Sequence, residues 1–311
     1  MRYREFAPLR RPLSVLVLGT LRFREDDMAT VDALLSLWLE VGGNVVDCAH
    51  EYGEGSSERA VGTWLAASGR RDDVVVVSKG GHPYGGRLRV TPGDLAADLD
   101  DSLGRLQTSR IDLYLLHRDD AAVPVGPLLA TLEEHRRTGT IGAYGASNWS
   151  VARLDDAREA AHAQGVAGFS ASSPHLSLAV PARPPYPGAV SACDPDSRSW
   201  YSRRQLAVLA WSAQAGGFFV DPAAGAVPEA VPAAVYAGGG NAERRRRAQE
   251  LAGRKGCEAN AIALAWVLHQ PFPTFATIGP RTVDELRSSL LALDVDLSHD
   301  EVRWLNLETD G

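Results

Sequence analysis

Short runs of β-branched and other apolar residues alternate with longer amphipathic stretches along the chain, and this alternation limits the folds open to it. The short runs end at glycine or polar residues, as strands do. The longer stretches carry apolar residues at helical spacing, and several end at glycine. The pattern predicts strands at 15–18, 44–47, 74–77, 112–116, 141–146, 168–171, 206–211 and 275–278. It predicts helices at 28–41, 56–67, 94–106, 127–137, 151–163, 241–255 and 260–269.

Two fold classes accommodate this alternation, an open doubly wound sheet and a closed (β/α)8 barrel. A doubly wound sheet that binds a dinucleotide carries G-x-G-x-x-G after its first strand. Residues 18–20 are not followed by such a motif, and residues 53–55 lack the third glycine. Eight strands with right-handed crossovers therefore favour a (β/α)8 TIM barrel. Residues 3–15 predict a short hairpin at its bottom, and because no linker divides the chain, we expect one domain over 1–311.

Composition excludes several classes of function. The net charge is -7, and phosphate binding needs a basic face, so nucleic acid is not expected as a partner. No apolar stretch approaches the roughly 20 residues of a membrane helix, and the first residues lack the apolar core of a signal peptide. The cysteines, Cys48, Cys193 and Cys257, are too far apart for a disulfide framework or a zinc site. A cytoplasmic enzyme without a metal is the expectation.

Four chemically active side chains follow three consecutive predicted strands. Asp47 ends the second strand and Tyr52 lies five residues later, Lys79 follows the third strand, and His117 follows the fourth. Active sites of (β/α)8 barrels lie at the carboxyl ends of the strands. We therefore expect these four side chains to meet at one mouth of the barrel.

The four side chains have complementary roles in carbonyl chemistry. Tyrosine has a pKa of about 10, and a nearby cation such as Lys79 favours its phenolate. Asp47 would supply the counter-charge that a buried lysine needs. His117 can donate a hydrogen bond to a carbonyl oxygen, so the group could polarise and protonate a carbonyl. A nicotinamide cofactor is then implied as the source of hydride. Only two of the 32 basic residues are lysines, which makes a lysine at a strand end informative.

Three longer motifs carry a resemblance to a known family. They are Gly43 to Gly53 with Ser57-Glu58, Ile111 to His117, and Gly145 to Trp149. Over nearly its whole length the chain resembles the aldo-keto reductases. The resemblance implies Tyr52 as the general acid, Lys79 and Asp47 as the pair that tunes it, and His117 as the group that orients the substrate carbonyl.

The resemblance also implies a site for NADP(H). At the nicotinamide carboxamide, the implied residues are Ser147 and Asn148, with Ser173 where much of the family has glutamine. Trp211 would stack on the nicotinamide, where tyrosine is common. The pyrophosphate loop would contain Ser212, Gln214 and Gly216, and the adenosine end would contain Gly279, Arg281, Glu285 and Ser289. Arg281 suits a 2′-phosphate, which favours NADPH over NADH. Glu285 and Ser289 stand where glutamine and asparagine are usual, and a carboxylate does not help to bind a phosphate.

Aromatic residues in the loops are candidates to line the substrate pocket, although loop packing explains them equally well. They are Phe23, Tyr84, Trp149 and Trp200, with the loops 82–86 and 181–201. Aromatic walls would suit a ring-shaped polyol or ketosugar, and other aldehydes and ketones stay open as substrates.

The leading hypothesis is NADPH-dependent reduction of a small carbonyl compound. One alternative is an NADP(H)-binding redox sensor that acts through a partner protein. The other is a Schiff-base aldolase that uses Lys79.

Overall fold

Eight parallel strands close into a barrel in the computed structural model, which describes residues 1–221 and 233–310. The barrel strands are β3 Leu16–Gly19, β4 Val45–Asp47, β5 Val75–Gly80, β6 Ile111–Leu116, β7 Ile141–Ser147, β8 Ala171–Ser173, β9 Ala207–Ala210 and β10 Thr274–Ile278. They pair in chain order, and β10 closes the barrel against both β9 and β3. The predicted (β/α)8 fold is confirmed.

Helices follow the strands and surround the barrel. They are α1 Met28–Glu40, α2 Ser56–Ser68, α3 Pro92–Leu106, α4 Val125–Arg137, α5 Val151–Gln164, α6 Pro195–Arg204, α7 Asn241–Lys255, α8 Ala259–Leu268, α9 Val283–Leu290 and α10 His299–Leu305. Within residues 1–221 and 233–310, every helix is too short or too polar to cross a bilayer.

An antiparallel hairpin closes the end of the barrel where the strands begin, as predicted. It consists of β1 Tyr3–Phe6 and β2 Arg11–Ser14. The ring of Phe6 packs edge-on against Phe275 of β10, with 6.2 Å between centroids. Phe6 and Leu13 thereby join the apolar cluster inside the barrel. The interior of the barrel is therefore a packed core rather than a channel.

Alternate residues of each strand face the two sides of the barrel wall. On β5, Val75 and Val77 belong to the cluster inside the barrel, whereas Val76 packs into the layer between strands and helices. Both faces of the strand are therefore apolar, which explains its continuous run of valines.

Two parts of the predicted pattern need correction. The sixth strand was expected at 168–171 but lies at Ala171–Ser173, because Gly168 has φ +73° and pairing with β7 begins only at Ala171. Helices α6, α9 and α10 were not predicted. Helix α6 is largely polar and shows little amphipathic periodicity, although the Asp194 side chain caps it by accepting a hydrogen bond from the Ser197 amide.

Two helical glycines offer a matched test of helix packing. A Cβ at Gly62 of α2 would overlap the backbone carbonyl of Arg105 at the end of α3, whereas a Cβ at Gly104 of α3 meets nothing within 4 Å. We expect Gly62→Ala to lower the free energy of unfolding by about 1–3 kcal/mol, because α2 must move away from α3. Gly104→Ala should raise it by about 0.5–1 kcal/mol. Urea denaturation measures both, and equal effects would contradict this packing.

Candidate active site

The Lys79 ammonium group lies at the centre of a buried cluster at the carboxyl ends of β4 and β5. Its Nζ donates to Asp47 Oδ1 at 2.6 Å, to the Cys48 carbonyl at 2.9 Å and to the Tyr52 hydroxyl at 3.2 Å. Lys79 is 2% exposed and Asp47 is 4% exposed. Burial alone would lower the pKa of Lys79, but Asp47 and Tyr52 outweigh burial and raise it. Lys79 is therefore an ammonium ion at neutral pH.

The Tyr52 hydroxyl keeps its proton in this structure. Burial raises its pKa, and Lys79 offsets only part of that effect. The lowering expected from the lysine alone is thus smaller than the effect of desolvation. A tyrosine that stays neutral can act as a proton donor.

The imidazole of His117 stands against Tyr52 at 5.8 Å between ring centroids, in an edge-on arrangement. Burial, with a further contribution from Lys79, holds its pKa well below the usual range, so the ring is neutral. Its Nδ1 is buried and has no hydrogen-bond partner among the described residues. On the other side lies His82, 4.9 Å away between centroids. The structure therefore brings Asp47, Tyr52, Lys79 and His117 together, as the strand ends predicted.

The side chains expected near a nicotinamide carboxamide form one buried network beyond His117. Asn148 Nδ2 donates to the Ser147 hydroxyl at 2.9 Å and to the His117 carbonyl at 3.2 Å. Ser147 in turn donates to the Ser173 carbonyl at 2.8 Å. The Val190 amide donates to Asn148 Oδ1 at 3.1 Å. Both the nitrogen and the oxygen of the Asn148 side chain are therefore hydrogen-bonded, and the residue has φ +60°.

The loop after β9 consists of tight turns. Ser212, Ala215, Gly216 and Gly217 all have positive φ, between 50° and 87°. The amides of Ala215 and Gly217 donate within the loop, to the Ser212 and Gln214 carbonyls at 2.8 and 2.9 Å. Gln214 Nε2 donates to the Ser289 hydroxyl of α9 at 3.2 Å and so ties this loop to the end of the barrel after β10.

Arg281 and Glu285 bind each other at the start of α9. The Glu285 carboxylate accepts from the Arg281 amide at 2.6 Å and also pairs with its guanidinium. Gly279, just before them, has open space around its Cα. Trp211, at the end of β9, packs edge-on against His175, and its Nε1 is buried without a partner among the described residues.

The four aromatic residues suggested for the substrate pocket are not brought together. Trp149 is 1% exposed and is enclosed by Phe169 and Arg153, and Phe23 is 3% exposed in the core. Tyr84 is 78% exposed.

Trp200 lies at the opposite end of the barrel from Tyr52. It lines a cavity of about 590 Å³ together with Phe6 and Ala207, which mark the bottom of the barrel, and its Nε1 donates to Asp155 at 2.7 Å. The suggestion that Trp200 contacts the substrate is wrong, because α6 carries it away from the mouth.

Residues 15–306 match the model of the Aldo/keto reductase family. The chain belongs to this family of oxidoreductases. An uncharacterized oxidoreductase of Bacillus subtilis, YrpG, is 30% identical over 94% of this chain and 91% of its own. Norsolorinic acid reductase of Aspergillus flavus is 28% identical over 94% of this chain and 77% of its own.

Solved structures of aldo-keto reductases share the fold. An aldo-keto reductase of Klebsiella pneumoniae, solved in complex with NADPH, superposes with a TM-score of 0.75 at 22% identity, over 99% of this chain and 95% of that one. A thermostable member solved with the inhibitor epalrestat gives 0.76 at 22% identity, over 99% of both chains.

Two residues near the aldo-keto reductase site were missed in the sequence. Arg118 is buried at the mouth. The sequence could have indicated it, because it directly follows His117, a catalytic candidate. His175 is fully buried behind Trp211, and its Nε2 lies 2.9 Å from the Tyr236 hydroxyl. His175 stood in a segment without periodicity, so no pattern pointed to it.

His175 provides a test of the packing behind Trp211 through pH. Burial lowers its pKa to about 3, whereas the unfolded chain protonates a histidine below about 6.5. Below pH 6.5 the unfolded state therefore binds a proton that the folded state does not bind, and the free energy of unfolding falls as the pH decreases. Between about pH 6 and pH 4 we expect this residue to contribute a loss of about 1.4 kcal/mol per pH unit. In His175→Gln the slope should be shallower by that amount in urea unfolding, and equal slopes would contradict a buried neutral imidazole.

Proposed function

We propose that this chain reduces the carbonyl group of small molecules with NADPH and that Tyr52 donates the proton. The observation that carries the proposal is the contact of one buried ammonium group with both Asp47 and Tyr52, at 2.6 and 3.2 Å. Family membership and the reductase activity named for the Aspergillus flavus relative support it.

Proton transfer from Tyr52 leaves a phenolate, which would be unfavourable in a buried site without a cation. Lys79 lies within hydrogen-bond distance of that oxygen and stays charged. Its other two donations, to Asp47 and to the Cys48 carbonyl, hold it in place before the reaction. A preorganised charge needs no rearrangement when the phenolate forms, and such groups are typically worth a factor of about 10² to 10³ in rate.

His117 is suited to orienting the substrate carbonyl. The ring is neutral and stands edge-on to Tyr52, so a carbonyl oxygen between the two can accept from both. A neutral imidazole donates a hydrogen bond without delivering its proton, which leaves Tyr52 as the acid.

The described residues fit a nicotinamide dinucleotide. The loop 212–217 would meet a pyrophosphate through the amides that its own turns do not use, and the open space at Gly279 would admit a ligand close to the backbone. Ser147, Asn148, Ser173 and Trp211 would hold the nicotinamide end, and Ser212, Gln214 and Gly216 the pyrophosphate. NADPH, when bound, supplies the hydride. The NADPH complex of the Klebsiella pneumoniae relative supports this choice of cofactor.

Arg281 would bind the 2′-phosphate, and Glu285 and Ser289 would border it. Because Arg281 already pairs with Glu285, the guanidinium must share its charge between a carboxylate and the phosphate. We therefore propose a preference for NADPH that Glu285 weakens.

The charge state of Lys79 argues against the Schiff-base alternative. An aldolase lysine must be neutral to attack a carbonyl carbon, and enzymes achieve this by lowering its pKa. Here Asp47 and Tyr52 raise it.

Replacement of Tyr52 tests the proton donor. In Tyr52→Phe the cofactor site is untouched, so we expect an unchanged Kd for NADPH and a fall in kcat of at least about 100-fold. Tyr3→Phe, which removes a hydroxyl that donates to Gly42 far from the mouth, is the matched control. Full turnover by Tyr52→Phe would overturn the mechanism, and NADPH binding without any turnover in the wild type would favour the redox-sensor alternative.

Replacement of Arg281 tests the 2′-phosphate site. We expect Arg281→Ala to raise the Kd for NADPH by about tenfold or more and the Kd for NADH by less than about threefold, since charge-assisted hydrogen bonds are worth about 1.5–3 kcal/mol. Fluorescence titration measures both. Arg287→Ala, which removes an exposed arginine paired with Asp284 on the same helix, is the control. Glu285→Gln should tighten NADPH binding. Equal weakening of both cofactors by Arg281→Ala would exclude a role at the 2′-phosphate.

A further inference from the structure

Arg118 is a largely buried cation at the mouth of the barrel that forms no ion pair with the described residues. It is 9% exposed, and no carboxylate of residues 1–221 and 233–310 lies within 4.0 Å of its guanidinium. Its hydrogen-bond acceptors in that part of the chain are two backbone carbonyls: Nε donates to Pro187 at 3.3 Å and NH1 donates to His117 at 2.8 Å. A guanidinium has five N–H groups, so three of them remain without an acceptor in the described part of the chain.

The guanidinium lies beside the candidate site, since its NH1 donates to the His117 carbonyl at 2.8 Å. Its positive charge contributes to lowering the pKa of both His117 and His82, whose rings are 4.9 Å apart between centroids. The hydroxyl of Tyr52 and the carboxylate of Glu51, in turn, influence the pKa of Arg118, which burial lowers overall. Glu51 is exposed and forms no ion pair with Arg118.

The position of Arg118 in the barrel separates it from the phosphates of the proposed cofactor. It follows β6, which lies four strands from β10 in the closed order, and the proposed 2′-phosphate site follows β10. Lys79, the cation that contacts the Tyr52 hydroxyl, already makes three donations within the cluster. Arg118 is thus a charge placed to meet a substrate rather than the phosphates of the cofactor.

We propose that Arg118 binds an anionic group of the substrate, and that the preferred substrates are aldehydes or ketones that carry a carboxylate. The inference rests on the proposed function, because it assigns the substrate class of the same site. NH1 and NH2 retain N–H groups that the described residues do not use, and a guanidinium with such groups can donate to a carboxylate in a bidentate manner. Binding would supply a carboxylate to a largely buried charge that forms no ion pair among the described residues, whereas an uncharged substrate would not.

A purely structural role for Arg118 makes a different prediction. Through Pro187, the side chain attaches the loop before α6 to the end of β6. If that were its whole task, its loss would impair charged and uncharged substrates alike. The ratio between the two is therefore the informative measurement.

The test uses the full-length protein with NADPH at pH 7 and about 0.15 M salt. The substrates are the ortho, meta and para isomers of formylbenzoate and the methyl ester of each. The members of a pair share the ring and the aldehyde and differ in charge, and the isomers vary the separation of carboxylate and carbonyl. The variants are Arg118→Met, which is similar in length and uncharged, and Arg118→Lys, which retains the charge. The control is Arg10→Met, which removes an exposed charge from the hairpin at the bottom of the barrel, between β1 and β2.

For the best isomer, we expect the wild-type kcat/KM for the acid to exceed that for its ester by about tenfold or more, because a charge-assisted hydrogen bond contributes about that much. Arg118→Met should reduce this acid-to-ester ratio by about tenfold, mainly through KM, and Arg118→Lys should restore part of it. Arg10→Met should change the ratio by less than about threefold, since screening weakens distant exposed charges.

Three results would overturn the inference while the proposed function stands: an acid-to-ester ratio that Arg118→Met leaves unchanged, a wild type that favours the esters, or an equal loss in Arg10→Met. Absence of NADPH oxidation with every acid and every ester would overturn the proposed function and this inference together. Melting temperatures of the variants show whether Arg118→Met is folded, and if it is not, the ratio in Arg118→Lys decides.

Discussion

The ion pair between Lys79 and Asp47 is the interaction on which the candidate site depends. Each charge is almost completely removed from water, and neither would be tolerated there alone. Breaking a buried pair by removing one partner typically costs about 3–5 kcal/mol, so the pair must form whenever the barrel is folded. Because Asp47 ends β4 and Lys79 lies on β5, the neighbouring strand, their register across the sheet brings them together. Tyr52 and His117 then meet a charge whose position is already determined.

The filled barrel below gives this cluster its rigidity. Phe6 and Leu13 of the hairpin close the bottom, and the inward-facing residues of the strands occupy the interior. The mouth, by contrast, is built from loops that make few but specific contacts, among them the donations from the Val190 amide to Asn148 and from Arg118 to Pro187. The candidate catalytic side chains therefore lie at or just after the strand ends, whereas loops form the rim of the mouth, as is usual for this fold.

Strand order and the four-residue cluster could be predicted from the sequence because both follow local patterns. The valine run of β5 can only be a strand buried on both faces, and the residue after it must emerge at the mouth. The limits of that reasoning are equally physical. Helix α6 has no regular apolar stripe, so periodicity did not reveal it. Because the helix was not predicted, Trp200 was wrongly expected at the substrate pocket. The pKa of Tyr52 shows a similar limit. The sequence indicates a nearby cation, which lowers this pKa, but not the burial of the hydroxyl, which raises it by more.

By itself, the sequence determined the (β/α)8 class and the meeting of Asp47, Tyr52, Lys79 and His117 at one mouth, since these depend on periodicity and on the order of strand ends. Tertiary structure alone decided which side chains have partners. It paired Arg281 with Glu285, enclosed Trp149, buried His175 and gave Arg118 no carboxylate partner within the described part of the chain. Burial and pairing depend on residues far apart in the chain, and no local pattern records their distances.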